Sequence, residues 1–247
     1  MFGLFSKSKS KAEKVDFSLI RADMHSHLLP GIDDGSPDLE TSIELIREMM
    51  ALGYKKLITT PHVMWDMYKN SHEIIKEKEQ ILNNELRSRG LDIQVHAAAE
   101  YFLDEHVEEL LSNKTPLLTV SGNMVLTEFS LAFPALNIKS LLFEMQMQGY
   151  QPIIAHPERY IYLERNKDFY TELKDIGCLF QLNLLSVGGQ YGRSVTELAH
   201  YLLKNGYYTL VGTDLHHGGH IEALQRLELT PALKNLLLSG QVINPRL

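Results

Sequence analysis

Disulfides are ruled out by a shortage: Cys178 is the only cysteine in the 247-residue chain. One thiol can form neither a bridge within the chain nor a thiolate zinc site, and it suits a reducing compartment. It sits in the apolar run CLFQLNLL with no Cys-x5-Arg phosphate loop behind it, so it reads as a buried core thiol. Positive charge is also short. At a formal net charge of -7, a nucleic-acid backbone is not an expected partner, although a small basic patch could hold a phosphorylated group. The opening MFGLFSKSKSKAEK lacks a long apolar run after its charges, which argues against a signal peptide or a membrane span there. Residues 1–17 are expected to be a flexible basic tail. Phe2, Leu4 and Phe5 beside Lys7, Lys9, Lys11 and Lys14 allow at most weak contact with an anionic membrane, and a cytoplasmic setting is expected. No linker, repeat or low-complexity stretch interrupts the remainder, so residues 18–247 are expected to form a single domain.

Hydrophobic residues make up 44% and charged residues 22%, enough apolar content for a sizeable core. Short apolar runs end at FSLIRADMH, KKLITTPH, LDIQVHAAAE, NMVLTEF, QPIIAH, CLFQLN and YTLVGTD. Helical periodicity lies between them, over 38–53, 70–89, 104–111, 138–148, 162–174 and 194–205. A βα unit repeated about seven times predicts an α/β fold, a distorted seven-stranded TIM-like barrel. Polar residues finish nearly every strand, which favours a barrel over an open dinucleotide-binding sheet with one switch point.

In DMHSH, His25 and His27 are two apart, so an extended backbone sends both imidazoles to the same side. Asp23 shares that face and could orient a histidine. His62, Glu100, Glu128 and His156 end later strands, and Asp214 and His216 end the last. In a parallel barrel all of these converge on the carboxyl face. Any one could be a core or surface residue; the coincidence over successive strands points to a multinuclear metal centre. Asp34 in the loop after the first histidine pair adds a carboxylate, while Asp33 could cap the turn or face solvent. The candidate ligands are His25, His27, Asp34, His62, Glu100, Glu128, His156, Asp214 and His216, a set that suits Mn, Fe or Zn better than Mg. Three divalent ions would carry six positive charges against four carboxylates, leaving room for hydroxide and a phosphoryl dianion. His217 and His220 lie in the stretch HHGGH, read as a loop beside the last ligand strand, and are candidate substrate contacts.

At DMHSH, TTPH, AAAE, TEF, AHPERY and GTDLH the chain resembles the polymerase-and-histidinol-phosphatase superfamily, in particular its bacterial capsule-associated manganese-dependent protein-tyrosine phosphatases. The likeness spans roughly residues 19–230 and includes the loop PGIDDG. It implies a distorted seven-stranded barrel. It also implies that His25, His27 and Asp214 hold one manganese, Glu128 and His156 a second, and Asp34, His62 and His216 a third, with Glu100 as a bridge. Catalytic work would fall to Glu100, Asp214 and Arg159, the last binding phosphate. Tyr160, Tyr191 and Phe133 offer aromatic surface for a substrate ring. The implied substrate is a phosphotyrosine protein, such as the tail of a capsule or exopolysaccharide tyrosine kinase. Histidinol phosphate or another small phosphomonoester is the alternative substrate, and a catalytically weak phosphopeptide-binding regulator the alternative role. No oligomeric state follows from the residues. The pattern departs after His216, where the family commonly carries an arginine and this chain reads HGGHIEALQR, with none before Arg226.

Overall fold

A computed structural model describes residues 13–133 and 137–247. The apolar tail residues Phe2, Leu4 and Phe5, on which the membrane expectation rests, lie outside the described residues. Among those described, no helix is long and apolar enough to cross a membrane.

The strands are β1 (Ala22–Asp23), β2 (Lys56–Thr59), β3 (His62–Val63), β4 (Val95–Ala97), β5 (Glu100–Phe102), β6 (Met124–Glu128), β7 (Gln151–Ile154), β8 (Leu179–Asn183) and β9 (Leu210–Gly212). All pairings between them are parallel, in two ladders, β1-β2-β4 and β3-β5-β6-β7-β8-β9. The count thus differs from the seven strands expected. Two of the expected strands are each split by a two-residue gap, at Thr60 and Pro61 and at Ala98 and Ala99. Pro61 has no N–H to give the ladder. The backbone bonds cross the gaps in modified form, from Ala98 N to Thr59 O at 2.9 Å and from Glu100 N to Pro61 O at 3.0 Å. The first strand is also short, because Phe17–Leu19 forms a 3-10 turn.

The parallel sheet curls. Met24, Ile58, Ala98, Leu126, Ile153 and Leu210 from successive strands form a small apolar cluster with Val120 and Ala155. Their neighbours Leu57, Ala97, Val125, Ile154 and Val211 point the other way, into the large core beneath the helices. Beyond the strand ends, Asp214 N donates to His25 O and His27 N donates to Leu215 O, both at 2.8 Å, tying the exit of β9 to that of β1.

Helices α1 (Leu39–Leu52), α2 (His72–Ser88), α3 (Glu105–Ser112), α4 (Ile138–Met147), α5 (Asp168–Asp175), α6 (Leu184–Val187), α7 (Arg193–Lys204), α8 (Gly218–Arg226) and α9 (Pro231–Leu238) fill the connections. The first three start at side-chain caps: Asp38 accepts from Thr41 N before α1, Ser71 from Ile74 N before α2, and Asp104 from Val107 N before α3. Gly53 closes α1 at φ +110°, a left-handed value that glycine takes without a Cβ penalty. On α1, Ile43, Ile46 and Met49 are fully buried, the 3–4 spacing that turns one apolar face to the sheet. The 162–174 helix is shorter than expected, since Ile161–Leu163 is a 3-10 turn. The stretch expected to be a loop after His217 is helix α8.

Candidate metal centre and phosphate cleft

Eight of the nine candidate ligands lie in or shortly after a strand, and Asp34 lies in the loop between β1 and α1. His25 and His27 follow β1, His62 opens β3, Glu100 opens β5, Glu128 closes β6, His156 follows β7, and Asp214 and His216 follow β9. All nine fall into four groups whose ligand atoms lie within 4.8 Å of one another. These are His27, Asp34, His62 and His216; His25, His27 and Glu100; His25, His156 and Asp214; and His62, Glu100 and Glu128. Asp34, His62 and His216, assigned to one ion by resemblance, share a group that also takes in His27. His156, paired by resemblance with Glu128, groups instead with His25 and Asp214, although its Nε2 is 3.6 Å from Glu128 Oε1.

Glu100 is the centre of the cluster and is wholly buried. Its Oε2 lies 3.4 Å from His25 Nε2, 3.7 Å from His27 Nε2 and 3.0 Å from His62 Nδ1; its Oε1 is 3.1 Å from His156 Nε2. Despite their closeness, Glu100 Oε2 and His62 Nδ1 make no hydrogen bond. Two buried ligand atoms this close yet poorly directed for a hydrogen bond fit a cation held between them, and nitrogen with carboxylate oxygen is the donor chemistry of a transition metal. The residues present therefore fit the multinuclear site that the sequence suggests.

Burial would raise the Glu100 carboxyl, but His25 and His62 hold it well below the usual carboxylate range. Asp214 is likewise held low against burial, by His25, His27, His216 and Arg159. Glu128 goes the other way, to about 8, because burial and the charge of Glu100 both oppose its ionisation. His156 falls to about 4 through burial and the neighbouring Arg159. So many buried carboxylates and imidazoles are tolerable only with compensating positive charge. His156 at φ +29° and Asp214 at φ +51° occupy left-handed backbone without being glycine, so two of the ligands sit on strained backbone.

Two orienting residues escaped the sequence reading. Gln181 Oε1 accepts from His25 Nδ1 at 2.9 Å and from His156 N at 3.1 Å. Asp33, expected to cap a turn or face solvent, lies 2.8 Å through Oδ2 from His27 Nδ1 and accepts from Gly35 N at 3.0 Å. The signal for Gln181 was available: an amide in the middle of the apolar run of β8. Asp23 does not orient a histidine side chain; its carboxylate accepts from the Thr213 hydroxyl at 2.7 Å and Thr213 N at 2.9 Å. Gly35 is required in the ligand loop, because a Cβ there would sit 2.3 Å from His27 Cβ and from His27 O.

The cluster floors a cleft of about 400 Å³. Arg159 lines it, with Nη1 donating to Asp214 Oδ2 at 2.9 Å and the guanidinium 4.8 Å from the Tyr191 ring centroid. Asn183 Nδ2 donates to Asp214 Oδ2 at 3.0 Å and to the Tyr191 hydroxyl at 3.2 Å. Tyr191, His217 and His220 all face the cleft. Tyr160 does not: it is fully buried, stacked 3.9 Å from Phe129, with its hydroxyl accepting from Phe129 N. Its expected role as a substrate contact is corrected to packing. Arg226 is no substitute for the arginine missing after His216, since it is exposed and pairs with Glu222 at 3.6 Å. His217 and His220 hold the corresponding side of the cleft, with His220 Nδ1 3.1 Å from Asp214 O.

Residues 21–224 match the family model described as Capsular polysaccharide synthesis, CpsB/CapC. Among curated proteins, the tyrosine-protein phosphatase CpsB of Streptococcus pneumoniae is 30% identical over 201 residues, 79% of this chain and 82% of that protein. The tyrosine-protein phosphatase YwqE of Bacillus subtilis (strain 168) is 29% identical over 195 residues, covering 79% and 77%. The putative tyrosine-protein phosphatase CapC of Staphylococcus aureus is 28% identical over 194 residues, covering 78% and 76%. A chain from the crystal structures of YwqE from Bacillus subtilis and CpsB from Streptococcus pneumoniae, metal-dependent tyrosine phosphatases, superimposes with a TM-score of 0.75 at 26% identity. That superposition covers 90% of this chain and 95% of the other.

Proposed function

The chain belongs to the capsular polysaccharide synthesis CpsB/CapC family, and from that premise we propose that it is a metal-dependent protein-tyrosine phosphatase. The observation that carries the reading is the convergence of Glu100 Oε2 and His62 Nδ1, 3.0 Å apart without a hydrogen bond, on the floor of a cleft that also holds an arginine. His25, His27, Asp34, His62, Glu100, Glu128, His156, Asp214 and His216 are the proposed ligands of three ions. The imidazole-rich set suits manganese, with iron or zinc as alternatives. When bound, the ions supply Lewis acidity toward phosphoryl oxygens and an activated water.

The chain's own residues do the rest. Arg159 presents a rigid fork of donors beside the cluster, suited to two phosphoryl oxygens at once. Asn183 and Tyr191 hold Asp214 and the guanidinium in register. Gln181 and Asp33 fix the rings of His25 and His27. The phenolate of tyrosine leaves readily, so no dedicated acid is needed. The proposed substrate is a phosphotyrosine protein, in the capsule setting the tail of a tyrosine kinase. The fold reading that accompanies this function is one domain over residues 18–247, a distorted barrel of seven staves. Its support is the gap of only two residues between β2 and β3 and between β4 and β5, and the bonds joining the exits of β9 and β1.

The test is parallel kinetics of the manganese-loaded protein on a phosphotyrosine peptide and on histidinol phosphate. Turnover of the peptide with the higher kcat/KM is expected. Preference for histidinol phosphate would replace the substrate, and tight peptide binding without turnover would make the protein a phosphopeptide-binding regulator.

A further inference from the structure

Two turns at the mouth of the cleft expose apolar side chains that the metal chemistry leaves unused. Residues 64–68 follow β3 and residues 130–133 follow β6, and Met64, Met67, Tyr68 and Leu131 line the same cleft as Arg159 and His216. Met67 is 66% exposed and Leu131 36% exposed, yet both line the cleft that Glu128, Arg159 and Asp214 line lower down. Apolar surface left in water beside a polar site is the signature of a surface that something covers.

Neither turn is loose. The first is closed by Tyr68 N donating to Met64 O at 2.7 Å and Met64 N to Tyr68 O at 3.3 Å, and Trp65 stacks on His106 at 3.8 Å. The Tyr68 ring lies nearly parallel to the His62 ring, 5.5 Å away, so its position is tied to the ligand cluster. In the second turn, Ser130 Oγ accepts from Ala132 N at 3.2 Å and Ser130 O accepts from the Tyr162 hydroxyl at 2.9 Å. Turns whose backbone is held in this way lose little further entropy when a ligand covers them.

We propose that Met67 and Leu131, with the Tyr68 ring, form a collar that grips the aryl group of the substrate while its phosphoryl group rests on the cluster below. The collar would make the site selective for aryl over alkyl phosphate esters. A thioether against an aromatic face is a favourable contact, and a flat ring buries more apolar surface there than a polyol or an ammonium-bearing chain does. The inference rests on the phosphotyrosine reading and names what selects that substrate.

The experiment is calorimetric binding of phenylphosphonate and methylphosphonate to manganese-loaded protein, for the parent chain and for Met67→Ser, Leu131→Ser and the double substitution. Phenylphosphonate affinity should fall roughly fivefold in each single variant and roughly twentyfold in the double. Methylphosphonate affinity should stay within about twofold, since it has no ring to lose contact with. The KM for a phosphotyrosine peptide should rise in step with the loss of phenylphosphonate. Equal losses for both phosphonates, no loss in the double variant, or failure of the parent to prefer phenylphosphonate would overturn the collar. A parent that prefers phenylphosphonate through these residues yet leaves phosphotyrosine intact would uphold the collar and sink the phosphatase reading. Turnover of phosphotyrosine with an unaffected double variant would do the reverse.

Discussion

Gln181 Oε1 accepts a hydrogen bond from His25 Nδ1 at 2.9 Å, which decides what His25 can offer the cluster. The same oxygen accepts from His156 N at 3.1 Å and the amide nitrogen donates to Leu182 O at 2.7 Å, so the amide has only one satisfactory orientation. An amide oxygen can only accept, so Nδ1 of His25 carries a proton and, in the neutral metal-binding form of the ring, Nε2 is the free atom offered to the cluster on the side of Glu100 and Asp214. Gln181→Leu should weaken metal binding roughly 10- to 100-fold. Gln181→Glu, which keeps an acceptor at that place, should lose less. Chelator competition measures both, and an unchanged metal affinity in Gln181→Leu would show that the ring is oriented by packing alone.

Glu100 touches four imidazoles with two oxygens. In Glu100→Gln one oxygen becomes an amide nitrogen, which removes both the charge and the second ligand atom. Metal analysis should show lost occupancy, and phosphotyrosine turnover should drop by more than roughly tenfold. Normal stoichiometry together with normal turnover would reject a bridging role.

Arg159→Lys keeps the charge and loses the planar fork. With Asp214 Oδ2 only 2.9 Å from Nη1, the arginine is already aimed at the cluster. Catalytic efficiency on a phosphotyrosine peptide should fall roughly tenfold, about 1.4 kcal/mol of transition-state stabilisation, with metal content close to the parent. A drop in melting temperature or metal content with efficiency per loaded site intact would assign Arg159 to structure instead.

The metal-free protein should become less stable as the medium turns alkaline. Burial alone would lower His25 and His62, but Glu100, with Asp214 for the former and Glu128 for the latter, raises them to about 9 and about 10. A folded value above the unfolded one, about 6.5, gives stability that is complete below that pH and is lost as pH rises through 9 to 10. Glu128, raised to about 8 by burial and Glu100, acts in the same direction. His156, lowered to about 4 by burial, works at the acid end, its contribution vanishing as pH falls through that value. Metal binding takes neutral imidazole and so displaces protons at neutral pH. The gap in melting temperature between metal-loaded and metal-free protein should widen from pH 6.5 to 9, and calorimetry in buffers of different ionisation enthalpy should register proton release. A gap independent of pH, with no protons released, would contradict these shifts.

The sequence by itself determined where the ligands lie along the chain. Buried parallel strands are continuous apolar runs, so a histidine or carboxylate that ends a run stands out, and six such endings bring His25, His27, His62, Glu100, Glu128, His156, Asp214 and His216 together. Capping chemistry was equally local: Asp38 and Gly53 mark both ends of α1 without reference to anything distant. What only the tertiary structure decided concerns contacts between strands and loops far apart in sequence. Arg159 and Tyr160 are neighbours in AHPERY and look equally available in a string, but packing against Phe129 buries Tyr160, while the turn leaves Arg159 facing the cleft. Asp23 and Asp33 both stood near the histidine pair; the approach of Thr213 from β9 claimed the first, and the tight loop through Gly35 delivered the second to His27. Gln181 is separated from His25 by 156 positions, and its hydrogen bond exists only because the sheet curls to bring β8 beside the exit of β1. Local pattern fixes what a residue is able to do, whereas the partner it does it with depends on which strands the curled sheet brings together.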